Sequence, residues 1–123
     1  MKTDSGAAGE AQAAGYLEEK GCEILTRNYR TRFGEIDIIA RSGPYILFAE
    51  VKTREAGSQV GPLEAVTLSK QRRVIKTAML YLQSHPTELQ PRFDVIAVTT
   101  VDGGKTVREI QHLESAFEAR GFL

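Results

Sequence analysis

The stretch GEIDIIARSGPYILFAEVKTR, residues 34–54, decides the fold. Its first part, GEIDIIAR (34–41), reads as a strand with Ile36, Ile38 and Ala40 on one face. Ser42-Gly43-Pro44 is a turn. YILFAEVKTR (45–54) is apolar over most of its length, the pattern of a strand covered on both faces and so central in a sheet. Working outward, Asp4 or Ser5 is placed to cap a helix through about Lys20, with Ala8, Ala11, Ala14 and Leu17 at helical spacing and Gly21 at its end. That apolar face is small, so its neighbour must pack close. Residues 23–30 read as extended. EAGSQVGP (55–62) has the composition of a loop. A helix is expected over Ser69–Ser84, with Val74, Ile75, Ala78, Met79 and Leu82 as its apolar stripe and Pro86 beyond its end. RFDVIAVTTV (92–101) alternates as a strand, Asp102-Gly103-Gly104 turns into a short strand around Val107–Ile110, and a brief helix is expected near Ser115–Arg120. The order α-β-β-β-α-β-β-α is neither a strict βα alternation nor all-β; it predicts an α/β protein with a mixed sheet flanked by helices.

The 123 residues suit one compact domain, 1–123, with enough core to fold without staples. Hydrophobic residues make up 41% and charged residues 26%, which excludes collagen-like, low-complexity and disordered readings. The one cysteine, Cys22, can form neither an internal disulfide nor a CxxC zinc half-site; it reads as a small buried hydrophobe, and a cytoplasmic location is expected. MKTDSGAAGE has no apolar leader core, and no stretch approaches the roughly 20 apolar residues of a membrane span, so no membrane partner is expected. Sixteen Lys and Arg balance sixteen Asp and Glu. Their distribution says more than the zero sum. Arg27, Arg30 and Arg32 form one basic cluster, Lys70, Arg72, Arg73 and Lys76 another, while acids crowd into 18–23 and 109–118. A solvated helix face also yields the second cluster.

Chemistry is suggested by charges where apolar residues would pack more easily. Asp37 interrupts IDII, and Glu50 and Lys52 interrupt the end of the otherwise apolar strand 45–54. A period of two puts Glu50 and Lys52 on one face, with Asp37 on the adjacent strand of the hairpin. Burying such groups costs several kcal/mol unless they pair or bind a cation. A divalent ion held by carboxylate oxygens, with a lysine beside it, is the equipment of phosphodiester hydrolysis. Ordinary cross-strand ion pairs on a solvated hairpin, with Glu35 taking part, are the other reading.

The acidic residue followed by a strand ending in Glu-x-Lys resembles the PD-(D/E)xK nuclease signature. The longer run resembles the YraN-like family of bacterial proteins, through GEAQAAGYLEEKG (9–21), ILTRNYR (24–30), GEIDIIA (34–40), LFAEVKTR (47–54), SKQRR (69–73) and RFDVIAV (92–98). Ile36 stands where the signature has proline. The resemblance implies a restriction-endonuclease-like core similar to archaeal Holliday-junction resolvases, using Mg²⁺ or Mn²⁺. It also implies a site of Glu10, Asp37, Glu50 and Lys52, with metal ligands from Asp37, Glu50 and the Val51 carbonyl and support from Gln71. Three carboxylates and one ammonium would then share one pocket, with a net charge of −2.

Arg27, Asn28, Tyr29 and Arg30 mix guanidinium groups with an aromatic ring and suit a nucleic-acid backbone, as do Lys70, Arg72 and Arg73 on the helix; the resemblance adds Gln71 beside them. Shape is the expected target, not sequence. GGKT (103–106) lacks the first glycine of a P-loop, because Thr99 stands at that position. His85 and His112 sit near no nucleophile and read as structural. Three functions follow as expectations: a metal-dependent endonuclease acting on branched or structured DNA, a non-cleaving nucleic-acid-binding module, or a scaffold whose basic helix meets an acidic protein. Resolvase-like action further implies a homodimer.

Overall fold

The computed structural model describes residues 4–59 and 61–119, with side chains from Ala8 onward. Helix α1 (Asp4–Glu19) is followed by strands β1 (Glu23–Thr31), β2 (Gly34–Ser42) and β3 (Tyr45–Glu55). Helix α2 (Leu68–Ser84) then leads to β4 (Gln90–Val101) and β5 (Thr106–Phe117). The five strands form one sheet in sequence order, antiparallel except for the β3–β4 pair, which is parallel with α2 as its crossover. This mixed sheet with a helix on each face is consistent with a restriction-endonuclease-like core.

The central position of β3 explains its apolar run. Phe48 packs on the α2 side with Val74, Ile75, Ala78 and Tyr81, whereas Leu47 and Ala49 pack on the α1 side with Ala13, Ala14 and Leu17. Gly21 closes α1 in a left-handed conformation, with Cys22 N–H on Leu17 O and Gly21 N–H on Glu18 O. Close packing of α1 is concentrated at Gly9, where any Cβ would collide with Thr53 Oγ1 on β3. Cys22 is buried in the α1-side core as expected.

Four details differ from the sequence reading. The buried face of α1 is Gly9, Glu10, Ala13, Ala14 and Leu17, while Ala8 and Ala11 are exposed; alanine carries too little hydrophobic contrast to fix a helix's phase. On α2, Met79 is 41% exposed, and Thr77 and Tyr81 are buried in its place. Ile36 does not share a face with Ile38 and Ala40. It joins the α2-side core and they join the α1-side core, so β2 changes face at Asp37. The cause is local: the β2–β3 ladder ends at the Ile38–Ala49 pair, and Asp37 Oδ2 then accepts the Val51 N–H at 2.8 Å in place of a backbone carbonyl.

Finally, the expected helix at 115–120 is strand as far as Phe117, Glu118 and Ala119 are not helical, and Arg120 lies outside the described residues. Pairing with β4 wins there because Phe117 stacks on Phe93 at 5.3 Å and Asp94 Oδ1 accepts the Ser115 N–H at 3.0 Å across a bulge.

Candidate active site

The site lies where β2 and β3 part. Asp37 and Glu50 are each 3% exposed, and the carboxylates are close enough for the Asp37 charge to act on Glu50. Burial first, then repulsion by Asp37, raises the Glu50 pKa from its ordinary value, against the lowering influence of Lys70 and Lys52. Strand parity carries Lys52 to the same face, with Nζ 3.6 Å from Glu50 Oε1. Glu50 Oε2 is buried without any hydrogen-bond partner. Such an oxygen is costly in a protein interior unless something binds there.

A second lysine arrives from α2. Lys70 Nζ lies 3.1 Å from Glu50 Oε1, nearer than Lys52. Its position follows from the helix start: Thr67 is the N-cap, its Oγ1 accepting the Lys70 N–H at 3.2 Å, and Gln71 Nε2 donates to Val66 O at 3.1 Å. Two carboxylates therefore meet two ammonium groups, and the expected charge of −2 becomes a balanced set.

Lys70 accounts for one unit of this difference and Glu10 for the other; Glu10 is 1% exposed and is held by β1. Asn28 Nδ2 donates to Glu10 Oε1 at 2.7 Å, and Arg27 Nη2 lies 3.6 Å from the same oxygen. Asn28 falls between the Arg27–Ile38 and Tyr29–Ile36 pairs of the β1–β2 register, level with Asp37, and has φ of 54°, a left-handed conformation that asparagine tolerates better than most residues. Glu10 is thus anchored level with Asp37 but carries its own cation. Among the described residues no three His, Cys, Asp or Glu side chains form a metal cage. Mg²⁺ does not require one, since it is commonly bound through one or two carboxylates, waters and substrate phosphate. The all-oxygen pair of Asp37 and Glu50, with an unpartnered buried oxygen, fits that habit.

The uncharacterised protein family UPF0102 matches residues 9–98, from the residue before Glu10 to the body of β4. The chain belongs to this family. A UPF0102 protein of Lachnoclostridium phytofermentans is 43% identical over 122 residues, covering 98% of each chain. One from Syntrophotalea carbinolica is 46% identical over 115 residues, 93% of this chain and 91% of its own. Another, from Chlorobium phaeobacteroides, is 47% identical over 119 residues, 93% and 94% respectively. The UPF0102 match takes in α1 from Gly9 onward, the β2–β3 hairpin and the whole of α2, so every residue of the site lies inside it.

The remaining expected contact residues of this UPF0102 protein divide between inside and outside. Arg27 and Asn28 serve Glu10, and Tyr29 packs edge-on to Tyr81 at 5.2 Å in the core. Arg30 pairs with Glu35 at 2.9 Å on the surface. Arg72 and Arg73 lie exposed on α2. His85 stacks on Tyr81 at 4.1 Å. His112 belongs to a network that sequence reading missed. Asp94 is fully buried, accepting from Arg92 Nε at 3.0 Å and Nη2 at 2.9 Å, while its Oδ2 lies 2.7 Å from His112 Nε2. Burial would raise the Asp94 pKa, but hydrogen bonds from His112, Arg92 and the Ser115 N–H outweigh it and hold the carboxyl below its ordinary value. An acid at an inward position of RFDVIAV was the available signal.

Proposed function

We propose that this protein is a metal-dependent endonuclease-like enzyme acting on branched or structured DNA by phosphodiester hydrolysis. The observation that carries the reading is the buried Asp37–Glu50 pair with Glu50 Oε2 unpartnered. Asp37, Glu50 and the Val51 carbonyl would hold Mg²⁺ or Mn²⁺. When bound, such an ion polarises the phosphoryl group and lowers the pKa of a coordinated water. Lys52 stands on the Glu50 face to orient that water and to stabilise charge gathering on the phosphoryl oxygens. Glu10, fixed by Asn28 and Arg27, borders the site as a further acidic group. Arg72 and Arg73 on α2 and Arg30 on β1 supply phosphate contacts that fall with salt. Cutting two opposed strands of a junction would require two such sites, hence a homodimer.

The test is nicking of linear, flapped and four-way DNA with Mg²⁺ or Mn²⁺, comparing wild type with Glu50→Gln and Lys52→Ala. Metal-dependent cleavage lost in both variants is expected. Cleavage that persists in highly purified Lys52→Ala would refute the assignment. A second reading, a nucleic-acid-binding module that does not cut, is favoured by the balanced charge of Glu50 between two lysines; it predicts DNA binding by wild type with no nicking under any metal.

A further inference from the structure

Lys70 occupies a place that helix electrostatics disfavours. It lies in the first turn of α2, which contains no acid, and a positive charge there opposes the helix dipole. Arg72 and Arg73 follow it on exposed positions, so the basic cluster has no need of a buried member for solubility. Yet Lys70 turns inward to Glu50 Oε1, and its side chain is only 34% exposed. Lys52, fixed two residues along the same strand, reaches that same oxygen. Two ammonium groups thus converge on one carboxylate oxygen, while the other, Oε2, is left buried and without a partner. An arrangement built only to neutralise Glu50 would have shared its donors across both oxygens. This one balances charge without completing coordination.

We propose that Lys70 is a tethered counter-cation, which holds Glu50 in the metal-free protein and is exchanged for the divalent ion when it binds. The inference rests on the assignment of Asp37 and Glu50 as metal ligands. Its chemical logic is substitution. Two buried carboxylates that await a 2+ ion repel each other, and a mobile positive charge reduces that cost until the ion arrives. Lysine suits the role better than arginine, because a compact ammonium on a flexible four-carbon stem makes no bidentate grip and leaves easily. Lys52 makes the looser contact, with Nζ 3.6 Å from Glu50 Oε1 against 3.1 Å for Lys70, so Lys70 is the principal cation to be exchanged. The Thr67 cap fixes the Lys70 backbone, and Glu50 Oε1 holds its ammonium. Displaced from Glu50, its ammonium would stand near the α2 N-terminus, three residues and so about one turn from Arg73, available to a substrate phosphate.

The experiment measures Mn²⁺ binding by calorimetry to wild type, Lys70→Met, Lys76→Met and Glu50→Gln. Lys76 is the control, on the same helix but with Nζ over the Phe33 ring at 5.5 Å. Acylation of lysine amines, read by mass spectrometry with and without Mn²⁺, reports the release directly. Removing the ammonium that competes with the ion for Glu50 Oε1 should tighten Mn²⁺ binding about tenfold in Lys70→Met. Lys76→Met should stay within about twofold of wild type at this separation and screening. Acylation of Lys70, but not of Lys76, should accelerate when Mn²⁺ is added to wild type. A Lys70 that stays on Glu50 predicts labelling indifferent to metal, any change of Mn²⁺ affinity in Lys70→Met then being charge removal alone. That result overturns the exchange and leaves the metal site standing, provided that wild type binds and Glu50→Gln does not. If no protein binds Mn²⁺, the exchange and the nuclease reading fall together.

Discussion

Asp37 holds the Val51 N–H, and we propose that it also holds a metal ion; two substitutions distinguish these tasks. Its Oδ2 accepts the Val51 N–H at 2.8 Å where the β2–β3 ladder has ended. Asp37→Ala removes that acceptor and leaves a buried amide unpaired, which costs about 1–3 kcal/mol. Unfolding entropy of about 2.1 cal/mol/K per residue, taken over 123 residues, converts this to a Tm loss of roughly 4–12 °C. Asp37→Asn keeps an acceptor and removes one of two neighbouring carboxylate charges. Its stability in EDTA should match wild type or exceed it by up to ~1 kcal/mol, because the Glu50 repulsion is relieved. Metal reverses the order. At an ion concentration of 100 times Kd the wild type gains about 2.7 kcal/mol by mass action, and Asp37→Asn, short of a ligand, gains far less. Thermal unfolding of the three proteins with EDTA and with millimolar Mg²⁺ or Mn²⁺ gives all six values. If Asp37→Asn costs ~2 kcal/mol or more and wild type does not respond to metal, Asp37 is a structural anchor and the metal site is wrong.

Two further outcomes follow from the buried carboxylates. Asp94→Ala strips a fully buried acceptor from Arg92, His112 and the Ser115 N–H, and should cost about 3–5 kcal/mol in denaturant unfolding at pH 7; a loss under about 1 kcal/mol would refute the network's role. The folded Asp94 pKa is depressed, so this stabilisation is complete above its ordinary value of 3.8 and the gap to the variant should close as pH falls through the lower, folded value. Glu50 has the opposite sign. Its folded pKa is raised, so metal-free wild type should lose stability as pH rises above about 4.5, and Glu50→Gln should lack that decline in EDTA. Parallel pH profiles for the two proteins would show that Glu50 is not strained.

Much of this architecture is legible in the sequence because the decisive signals are local. Period-two patterning and a Ser-Gly-Pro turn define the β2–β3 hairpin, and the apolar run of β3 places it centrally, as the order β1-β2-β3-β4-β5 bears out. Gly21 and Pro86 mark the ends of the helices they follow. The misread segments are those where a long-range contact overrides local preference. Nothing within 115–119 announces that Asp94 will accept the Ser115 N–H or that Phe117 will stack on Phe93, yet these contacts draw the segment into β5. Likewise the change of face between Ile36 and Ile38 depends on a side chain replacing a backbone acceptor, which periodicity cannot encode.

The candidate site divides along the same line. Asp37, Glu50 and Lys52 are one hairpin's residues, so strand parity alone brings the last two together. Glu10 and Lys70 come from two helices on opposite faces of the sheet, and their partners depend on docking. Asn28, in a left-handed conformation, takes Glu10 with Arg27, while the Thr67 cap sets the turn that delivers Lys70. Each helix thereby changes the charge of the site by one unit relative to the sequence expectation: α1 spends its acid on β1, and α2 contributes a cation. A pocket expected at −2 becomes neutral while retaining an unpartnered oxygen. Charge balance with incomplete coordination is a poor end state for a structural ion pair, whose stability needs every lone pair satisfied. It is a serviceable resting state for a site that exchanges one cation for another, and this is why Lys70, the cation that no strand pattern predicts, is the residue on which the two readings of the site divide.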